Sequence, residues 1–296
     1  GGDLTLTSGA TAGITDSGAV SVAGNFVATT DANSGLINMG TLEVNGTIAL
    51  TTDGTGDATI VNDDDINFAN STVRGALSAT ATTSHITDTG TLTITGASTF
   101  ITRATGSNIE LNSSGNAFAA AVTMKAETNG SEAFGNIAFV DSAAVKLHSA
   151  AGTNGDLFID GSTDGAVGGT LSITATTGNI TQGLAVAVTG ASSFTTSATN
   201  GVITLSNTSN AFADAVTLST TGATAHAIID NGTTTLDIAA STVGGDLTLT
   251  SGATAGITDS GAVSVAGNFV ATTDANSGLI NMGTLEVNGT IALTTD

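Results

Sequence analysis

The sequence lacks four residue types that most folded domains use. Proline, cysteine, tryptophan and tyrosine are all absent from its 296 residues. Without cysteine, the chain can form neither disulfides nor thiolate zinc sites. Without proline, no strand loses a backbone donor, which favours a fold in which every strand pairs on both sides. The alternative all-β fold is a string of immunoglobulin-like sandwiches. Those domains usually bury a tryptophan, a tyrosine or both, so the absence of these residues argues against that fold.

Basic residues are also scarce. Four Lys and Arg stand against 25 Asp and Glu, which gives a net charge of −21. Nucleic acids and anionic membrane surfaces both require clustered Lys or Arg, so neither is an expected partner. No run of about 20 apolar residues is present, so we expect no membrane insertion. A dilute acidic surface keeps a large extracellular chain soluble and attracts divalent cations.

A long internal repeat dominates the sequence. Residues 1–53 recur without change as residues 244–296, which are 243 positions further along the chain. Identity at every position indicates a recent tandem duplication, so we interpret residues 1–243 as one full repeat unit and residues 244–296 as the start of the next. The chain is then a window on a longer tandem repeat. Three sub-repeats divide the first unit, at residues 2–74, 75–168 and 169–244.

Within each sub-repeat the apolar residues alternate with small or polar ones. Leu4 and Leu6 show this spacing, as do Ile48 and Leu50, and Gly, Asn, Asp and Ser separate the short segments. A period of two predicts strands with one buried face. We therefore predict an all-β parallel β-solenoid, a right-handed β-helix with about three strands per coil, of which this chain is an uncapped segment.

The phenylalanines are the only aromatic residues and recur at matching sub-repeat positions. We expect them to fill the narrow interior, because neighbouring Ala and Gly leave room for a ring there. The prediction places one group at the same corner of the coil and a second pair at another. The first group is Phe26, Phe100 and Phe194, and the second is Phe118 and Phe212.

Two segments resemble a known group of proteins. These are Gly-x-Leu-x-Ile-x-Gly-Ala-Ser-x-Phe at residues 90–100 and Ile-x-Leu-x-Asn-x-x-Asn-Ala-Phe-x-x-Ala-Val-x-Leu at residues 203–218. Both resemble the filamentous-haemagglutinin-like, β-strand-repeat giant surface proteins of Gram-negative bacteria, and the resemblance extends over the whole chain. It implies a very long secreted or surface-tethered protein that serves in adhesion, aggregation or sheath formation.

The expected function is therefore a structural or adhesive segment of a long extracellular filament or surface fibre, with no catalysis. Expected partners are further copies of the same repeat, neighbouring filaments, and cell-surface or polysaccharide ligands. The expected location is outside the cell or at its surface, and no cofactor is expected apart from calcium. The alternative function is a carbohydrate-active β-helix that binds or cleaves polysaccharides, which would need several carboxylates and a basic residue or metal in one groove.

The densest acidic segment supplies the candidate metal ligands. They are Asp53, Asp57, Asp63, Asp64 and Asp65, with Arg74 nearby. Calcium takes six to eight oxygen ligands, so these carboxylates are candidates to hold it. The other interpretation is a solvated turn between two strands, with no ligand at all.

No catalytic residues are predicted. The three histidines, His85, His148 and His226, are scattered along the chain, and no Ser–His–Asp constellation follows from their spacing. Thr-x-Thr pairs such as Thr93 and Thr95 suggest ice binding, but other segments lack them, and exposed threonine is common in strands.

Overall fold

A computed structural model describes residues 2–31, 34–126, 135–147, 156–159, 166–274 and 278–296. All regular elements in this part of the chain are β-strands. Accordingly, none of the described residues forms a helix that is long and apolar enough to cross a membrane. The chain divides into two compact units, residues 1–141 with 151–162 and residues 142–150 with 163–296.

The strands are short, and most have two to five residues. They are β1 (Leu4–Ser8), β2 (Ile14–Thr15), β3 (Val20–Val22), β4 (Phe26–Thr30), β5 (Ile37–Val44), β6 (Thr47–Thr51), β7 (Ala58–Asn62), β8 (Ile66–Phe68), β9 (Ser71–Val73), β10 (Leu77–Ala81), β11 (Ile86–Asp88), β12 (Leu92–Ile94), β13 (Ser98–Thr102), β14 (Ile109–Leu111), β15 (Ala117–Phe118), β16 (Val122–Ala126), β17 (Ile137–Asp141), β18 (Val145–Leu147), β19 (Asp156–Ile159), β20 (Ala166–Val167), β21 (Leu171–Ala175), β22 (Ile180–Gln182), β23 (Ala187–Val188), β24 (Ser192–Thr199), β25 (Ile203–Leu205), β26 (Ala211–Phe212), β27 (Val216–Thr221), β28 (Ala227–Asp230), β29 (Leu236–Ile238), β30 (Ser241–Val243), β31 (Leu247–Ser251), β32 (Ile257–Asp259), β33 (Val263–Val265), β34 (Phe269–Thr273), β35 (Ile280–Asn281), β36 (Leu285–Val287) and β37 (Ile291–Thr295). Strands β1 to β17 and β19 belong to the first unit, and the others to the second.

Each unit is a parallel β-solenoid. In the first unit β4 pairs in parallel with β1 before it and β6 after it, so that Phe26 lies opposite Leu4 and Ile48. One coil therefore takes 22 residues at this point. The first coil consists of one five-residue strand, β1, followed by the two short strands β2 and β3. These findings confirm the predicted all-β solenoid with about three strands per coil.

On one face of the solenoid, a coil contributes either a single longer strand or two consecutive short strands, and this choice changes along each unit. The eight-residue strand β5 pairs with both short strands of the coil before it, β2 and β3. In the opposite sense, the single strand β6 pairs with the two short strands β8 and β9 of the next coil. In the second unit β27 pairs with β29 and β30 in the same way. One longer strand of five to eight residues and two short strands are thus interchangeable as one layer of the stack.

The solenoid interior is apolar and contains the predicted rings. All five predicted phenylalanines are buried, with at most 4% of any of them exposed. Phe100 meets Phe118 edge to face at 6.1 Å, and Phe194 meets Phe212 in the same manner at 5.6 Å. Such edge-on pairs stabilise the core beyond their buried area.

One part of the ring prediction is wrong. Phe26 is the first residue of β4 and lies opposite Leu4, whereas Phe100 and Phe194 are the third residues of their strands and lie opposite Ala79 and Ile173. Phe26 therefore occupies a different inward position along the strand. The cause is the spacing from the preceding glycine, since Phe26 follows Gly24 by two residues, whereas Phe100 and Phe194 follow Gly96 and Gly190 by four.

The turns between strands bring neighbouring coils into close backbone contact. Gly13 has a φ of 74°, and a Cβ at this position would lie 1.9 Å from the carbonyl oxygen of Leu36 in the next coil. The identical turn in the second copy, at Gly256, has the same constraint against Leu279. Only glycine combines this conformation with this contact.

Candidate functional site: the corner ladders and a polar groove

Polar side chains that stand just before a strand accept hydrogen bonds from the backbone of the next coil. Asp3 precedes β1, and its Oδ1 accepts the N–H of Asn25 at 2.7 Å. Asn25 precedes β4, and its Oδ1 accepts the N–H of Thr47 at 2.9 Å. Further along the first unit, Asn108 accepts the N–H of Asn136 at 2.9 Å. We call this series the corner ladder, and in the first unit it comprises Asp3, Asn25, Asp65, His85 and Asn108.

The second unit has a corner ladder of the same construction. Oδ1 of Asp246 accepts the N–H of Asn268 at 2.7 Å, and Oδ1 of Asn268 accepts the N–H of Thr290 at 2.9 Å. Its members are Asn179, His226, Asp246 and Asn268. Each of these bonds satisfies a backbone donor at a turn, where no strand can do so. The corner ladders therefore join successive coils outside the β-sheets.

Two histidines take the place of Asn or Asp in these ladders. Nδ1 of His85 accepts the N–H of Asn108 at 2.8 Å, and Nδ1 of His226 accepts the N–H of Asp246 at the same distance. Each ring nitrogen thus takes the accepting role that the side-chain oxygen of Asn or Asp has elsewhere in the ladder. The Asp246 carboxylate also lies 3.4 Å from Nδ1 of His226. The third histidine, His148, lies outside the described residues.

A second type of carboxylate contact occurs in both copies of the repeated segment. Asp16 accepts the N–H of Gly40 at 3.1 Å, and both the N–H and the hydroxyl of Thr41 at 2.8 and 2.7 Å. Asp259 makes the same contacts in the second copy. Desolvation alone raises the pKa of both carboxyls, but the hydrogen bonds from the Thr hydroxyl and the two backbone N–H groups outweigh it, so each pKa lies below its ordinary value.

The five aspartates predicted as calcium ligands are all exposed. One carboxylate oxygen of Asp57 and one of Asp65 bind the backbone of the next coil. They accept the N–H groups of Ala76 and His85 at 2.7 and 2.9 Å. Asp53 accepts the N–H of its neighbour Gly54 at 2.7 Å. Within the described residues, no three His, Asp or Glu side chains are grouped closely enough to hold a metal ion. Calcium binding therefore stays a prediction.

An open polar groove of about 280 Å³ lies beside the corner ladder of the first unit. It is lined by Asn25, Asn45, Gly46, Thr47, Asp65, Asn67, His85 and Thr87. Several of these groups already have partners, because the Oδ1 atoms of Asn25 and Asp65 and Nδ1 of His85 accept hydrogen bonds within the ladder. What faces the groove is a mixture of amide, hydroxyl, imidazole and carboxylate groups, which suits a ligand rich in hydroxyls.

The corner ladders were not predicted from the sequence. A signal for them exists, because Asp3, Asn25 and Asn268 each stand within a residue of an apolar strand that begins a coil. The spacing of about 22 residues between such positions marks them as equivalent. The regularity is recognisable only once the coil length is known.

The comparisons with known proteins give one match. A family model described as repeats of unknown function (DUF5649) matches residues 55–125, 135–219 and 224–282, which together make up more than half of the chain. No curated protein and no solved structure shows a significant similarity to this chain.

Proposed function

The chain belongs to the DUF5649 family of repeats of unknown function, and on that premise we propose that it is a structural segment of a long, repeat-built extracellular filament or surface fibre. The observation that carries the proposal is the double linkage between coils. Within each unit, parallel strands pair with the coil before and the coil after, and the corner ladder adds a side-chain bond at the turn. Such a stack resists bending and can be lengthened by adding coils.

The extracellular and adhesive parts of the proposal are supported by other features. The strongly acidic composition suits a surface-exposed polymer, and the segments at residues 90–100 and 203–218 resemble those of Gram-negative surface proteins. Further copies of the same repeat are the proposed partners within the filament. Neighbouring filaments and cell-surface polysaccharides are the proposed partners outside it.

Electron microscopy of engineered chains with two, four and six 243-residue units tests the structural role. We expect unbranched rods whose length grows by a fixed increment per unit, with about 4.8 Å for each coil. Thr80 lies in β10, which pairs on both sides, so Thr80→Pro in every unit should kink or break the rods because it removes a ladder donor. Compact particles whose diameter does not follow the number of units would contradict a filament role.

Antibody labelling of intact native cells tests the location. Labelling before lysis, and its loss after brief external proteolysis, is the expected result. Labelling that requires lysis would refute the extracellular role and leave the rod measurement untouched. Retention of beads coated with the multi-unit chain on the same cells tests adhesion, and beads coated with an unrelated acidic protein are the control.

A second candidate function, polysaccharide binding, has a specific observation in its favour. The groove beside the corner ladder presents Asn45 and Thr87 on its walls, and neither of these side chains is needed for the core. Titration of neutral and acidic oligosaccharides, followed by NMR, tests it. The double variant Asn45→Ala/Thr87→Ala should abolish binding, whereas Thr99→Ala/Thr123→Ala on another strand face should not. Equal binding by both double variants would contradict a site in this groove.

Calcium binding by the acidic segment is a separate proposal. Isothermal titration of calcium into the chain should give heat that is lost when Asp63, Asp64 and Asp65 are all changed to Asn. The matched control changes Asp16 and Asp259 to Asn, since these carboxylates already bond to backbone and hydroxyl donors. Equal heats in all three proteins would refute a site at the acidic segment.

A further inference from the structure

Two columns of polar side chains run along the groove of the first unit. On the strands, Thr47 of β6 lies opposite Asn67 of β8, and Asn67 lies opposite Thr87 of β11. We call these three residues the strand column. The turn column consists of the residues two positions before them, Asn45, Asp65 and His85, and both columns line the groove. Each column therefore places one polar side chain on each of three successive coils.

Several groups of the two columns have no hydrogen-bond partner among the described residues. This holds for the side chains of Asn45 and Thr87 as a whole. Asn67 accepts the hydroxyl of Thr89 at 3.0 Å with its Oδ1, and its Nδ2 remains available. Amide and hydroxyl groups of this kind both donate and accept hydrogen bonds. They match the hydroxyls of a sugar, which also do both.

Asp65 adds a charged acceptor to the groove. Its Oδ1 accepts the N–H of His85 at 2.9 Å and the hydroxyl of Ser84, whereas its Oδ2 has no hydrogen-bond partner within the described part of the chain. Of the described residues that line the groove, Asp65 is the only one with a carboxylate, and none is Lys or Arg. The chain as a whole has a net charge of −21. The groove therefore favours a ligand with positive charges over a polyanion.

The spacing of these groups suits a linear polymer. Successive coils lie ~4.8 Å apart along the solenoid axis. One sugar unit of an extended β-linked chain has nearly the same length. Asn45, Asp65 and Thr87 stand on three successive coils, so a chain of three sugar units that lies along the axis can contact all of them.

We propose that the groove binds a linear amino-sugar polysaccharide along the solenoid axis, with one ammonium group at Oδ2 of Asp65. This inference rests on the polysaccharide binding proposed for the same groove and names the class of sugar. The sugar hydroxyls bond to the amides of Asn45 and Asn67 and to the hydroxyl of Thr87. An exposed ion pair adds little affinity by itself, so the contact at Asp65 mainly selects the class of sugar, and the hydroxyl contacts supply the remaining affinity.

Titration of three oligosaccharides of equal length into the 296-residue chain tests the choice of sugar. The probes are β-1,4-linked hexamers of glucosamine, N-acetylglucosamine and glucuronic acid, in slightly acidic buffer in which the amines are charged. Physiological salt screens long-range attraction, and a chelator removes calcium. We expect the glucosamine hexamer to shift the NMR amide signals of both columns and to bind about three- to tenfold more tightly than its N-acetylated counterpart. The glucuronic acid hexamer should not bind.

Two substitutions of equal charge separate a site at Asp65 from general attraction to an acidic chain. Asp65→Asn keeps an acceptor for the N–H of His85 but removes the charge, so the glucosamine hexamer should bind about three- to tenfold more weakly. Asp64→Asn removes the same charge from a side chain that does not line the groove, and the affinity should stay unchanged. Equal affinities of the two variants, whether lowered or not, would overturn the proposal.

A lysine hexamer and a glucosamine trimer test the contacts beyond the charge. The lysine hexamer has the same number of amines without sugar hydroxyls, so it should not shift the amide signals of the two columns at the concentrations used for the sugar. The trimer should bind nearly as tightly as the hexamer, because the two columns span three coils. Equal shifts with the lysine hexamer would overturn the proposal, as would an affinity that rises in proportion to the number of amines.

The outcomes also distinguish this proposal from the broader one on which it rests. Tighter binding of the N-acetylated or the glucuronic acid hexamer at both columns would overturn the choice of an amino sugar and leave polysaccharide binding intact. Absence of binding by all three hexamers would refute both. Neither result bears on the rod measurement, because a filament can form without a sugar in its groove.

Discussion

Ser71 and Ser98 are two buried serines of the first unit, and their replacement by alanine should affect stability differently. The Ser71 hydroxyl donates to the carbonyl of Ala69 at 2.9 Å and accepts the N–H of Leu50 at 3.0 Å. The Ser98 hydroxyl is also buried but has no hydrogen-bond partner among the described residues. Both substitutions remove one oxygen and keep nearly the same volume, so packing changes little in either case.

The magnitudes follow from the partners left behind. Ser71→Ala leaves the buried N–H of Leu50 and the part-buried carbonyl of Ala69 without their partner, which costs about 1–3 kcal/mol. Ser98→Ala removes an oxygen that had been desolvated without compensation, so the free energy of unfolding should stay the same or rise by about 1 kcal/mol. The free energies of unfolding of the two variants should therefore differ from each other by roughly 1–4 kcal/mol, with Ser71→Ala the less stable.

Urea denaturation followed by circular dichroism measures the difference, and amide exchange at Leu50 shows whether the loss is local. The second unit offers an independent repeat of the experiment. Ser241 has the same two bonds, to Leu218 at 2.9 Å and Ala239 at 2.8 Å, while Ser192 is buried and unpaired within the described residues. If Ser98→Ala and Ser192→Ala destabilised the chain more than Ser71→Ala and Ser241→Ala, the reasoning would be wrong.

Three further predictions concern the core and the side-chain contacts between coils. Phe100→Ala should lower the free energy of unfolding by about 3–5 kcal/mol in chemical denaturation, because the ring is fully buried, and Phe100→Leu should cost less. The pKa of Asp16 is lowered in the folded chain, so its contribution to stability is complete above the ordinary value of 3.8 and is lost as pH falls through the lowered pKa. In an acid titration, Asp16→Asn should therefore lose less free energy of unfolding over that range than the parent chain does. His226→Asn keeps an acceptor for the N–H of Asp246 and should leave thermal stability at neutral pH unchanged, whereas His226→Leu should lower it.

Alternation was sufficient to predict the strands and the core. Leu77 and Ala79 in β10 point inward because they are separated by one residue, and a period of two leaves no other arrangement on a half-buried strand. The burial of Phe100 and Phe118 follows from the same alternation. The prediction failed for the position of Phe26, because it treated Phe26 as equivalent to Phe100 although Phe26 stands two residues closer to the preceding glycine.

Other features depend on register and could not be predicted from the sequence. Residues 37–44 form one strand in the first copy, whereas the identical segment forms the separate strands β35 and β36 in the second copy. The sequence is the same, so the bounds of these strands depend on their pairing with other coils, and β5 pairs with β7. The aspartates at 63–65 are adjacent in sequence, yet Asp65 bonds to the next coil rather than joining its neighbours at one point.

The turns of this solenoid absorb differences in coil length. From Ala58 to Leu77 one coil takes 19 residues, from Leu77 to Ser98 it takes 21, and from Ser98 to Val122 it takes 24, while the strands stay in register throughout. The extra residues are accommodated between strands, where the chain runs over the surface. A foreign loop placed at such a turn would be displayed at regular intervals along the stack, with a spacing set by the number of coils between insertions. The fold is thus suited to serve as a molecular ruler for presenting antigens or enzymes at chosen distances.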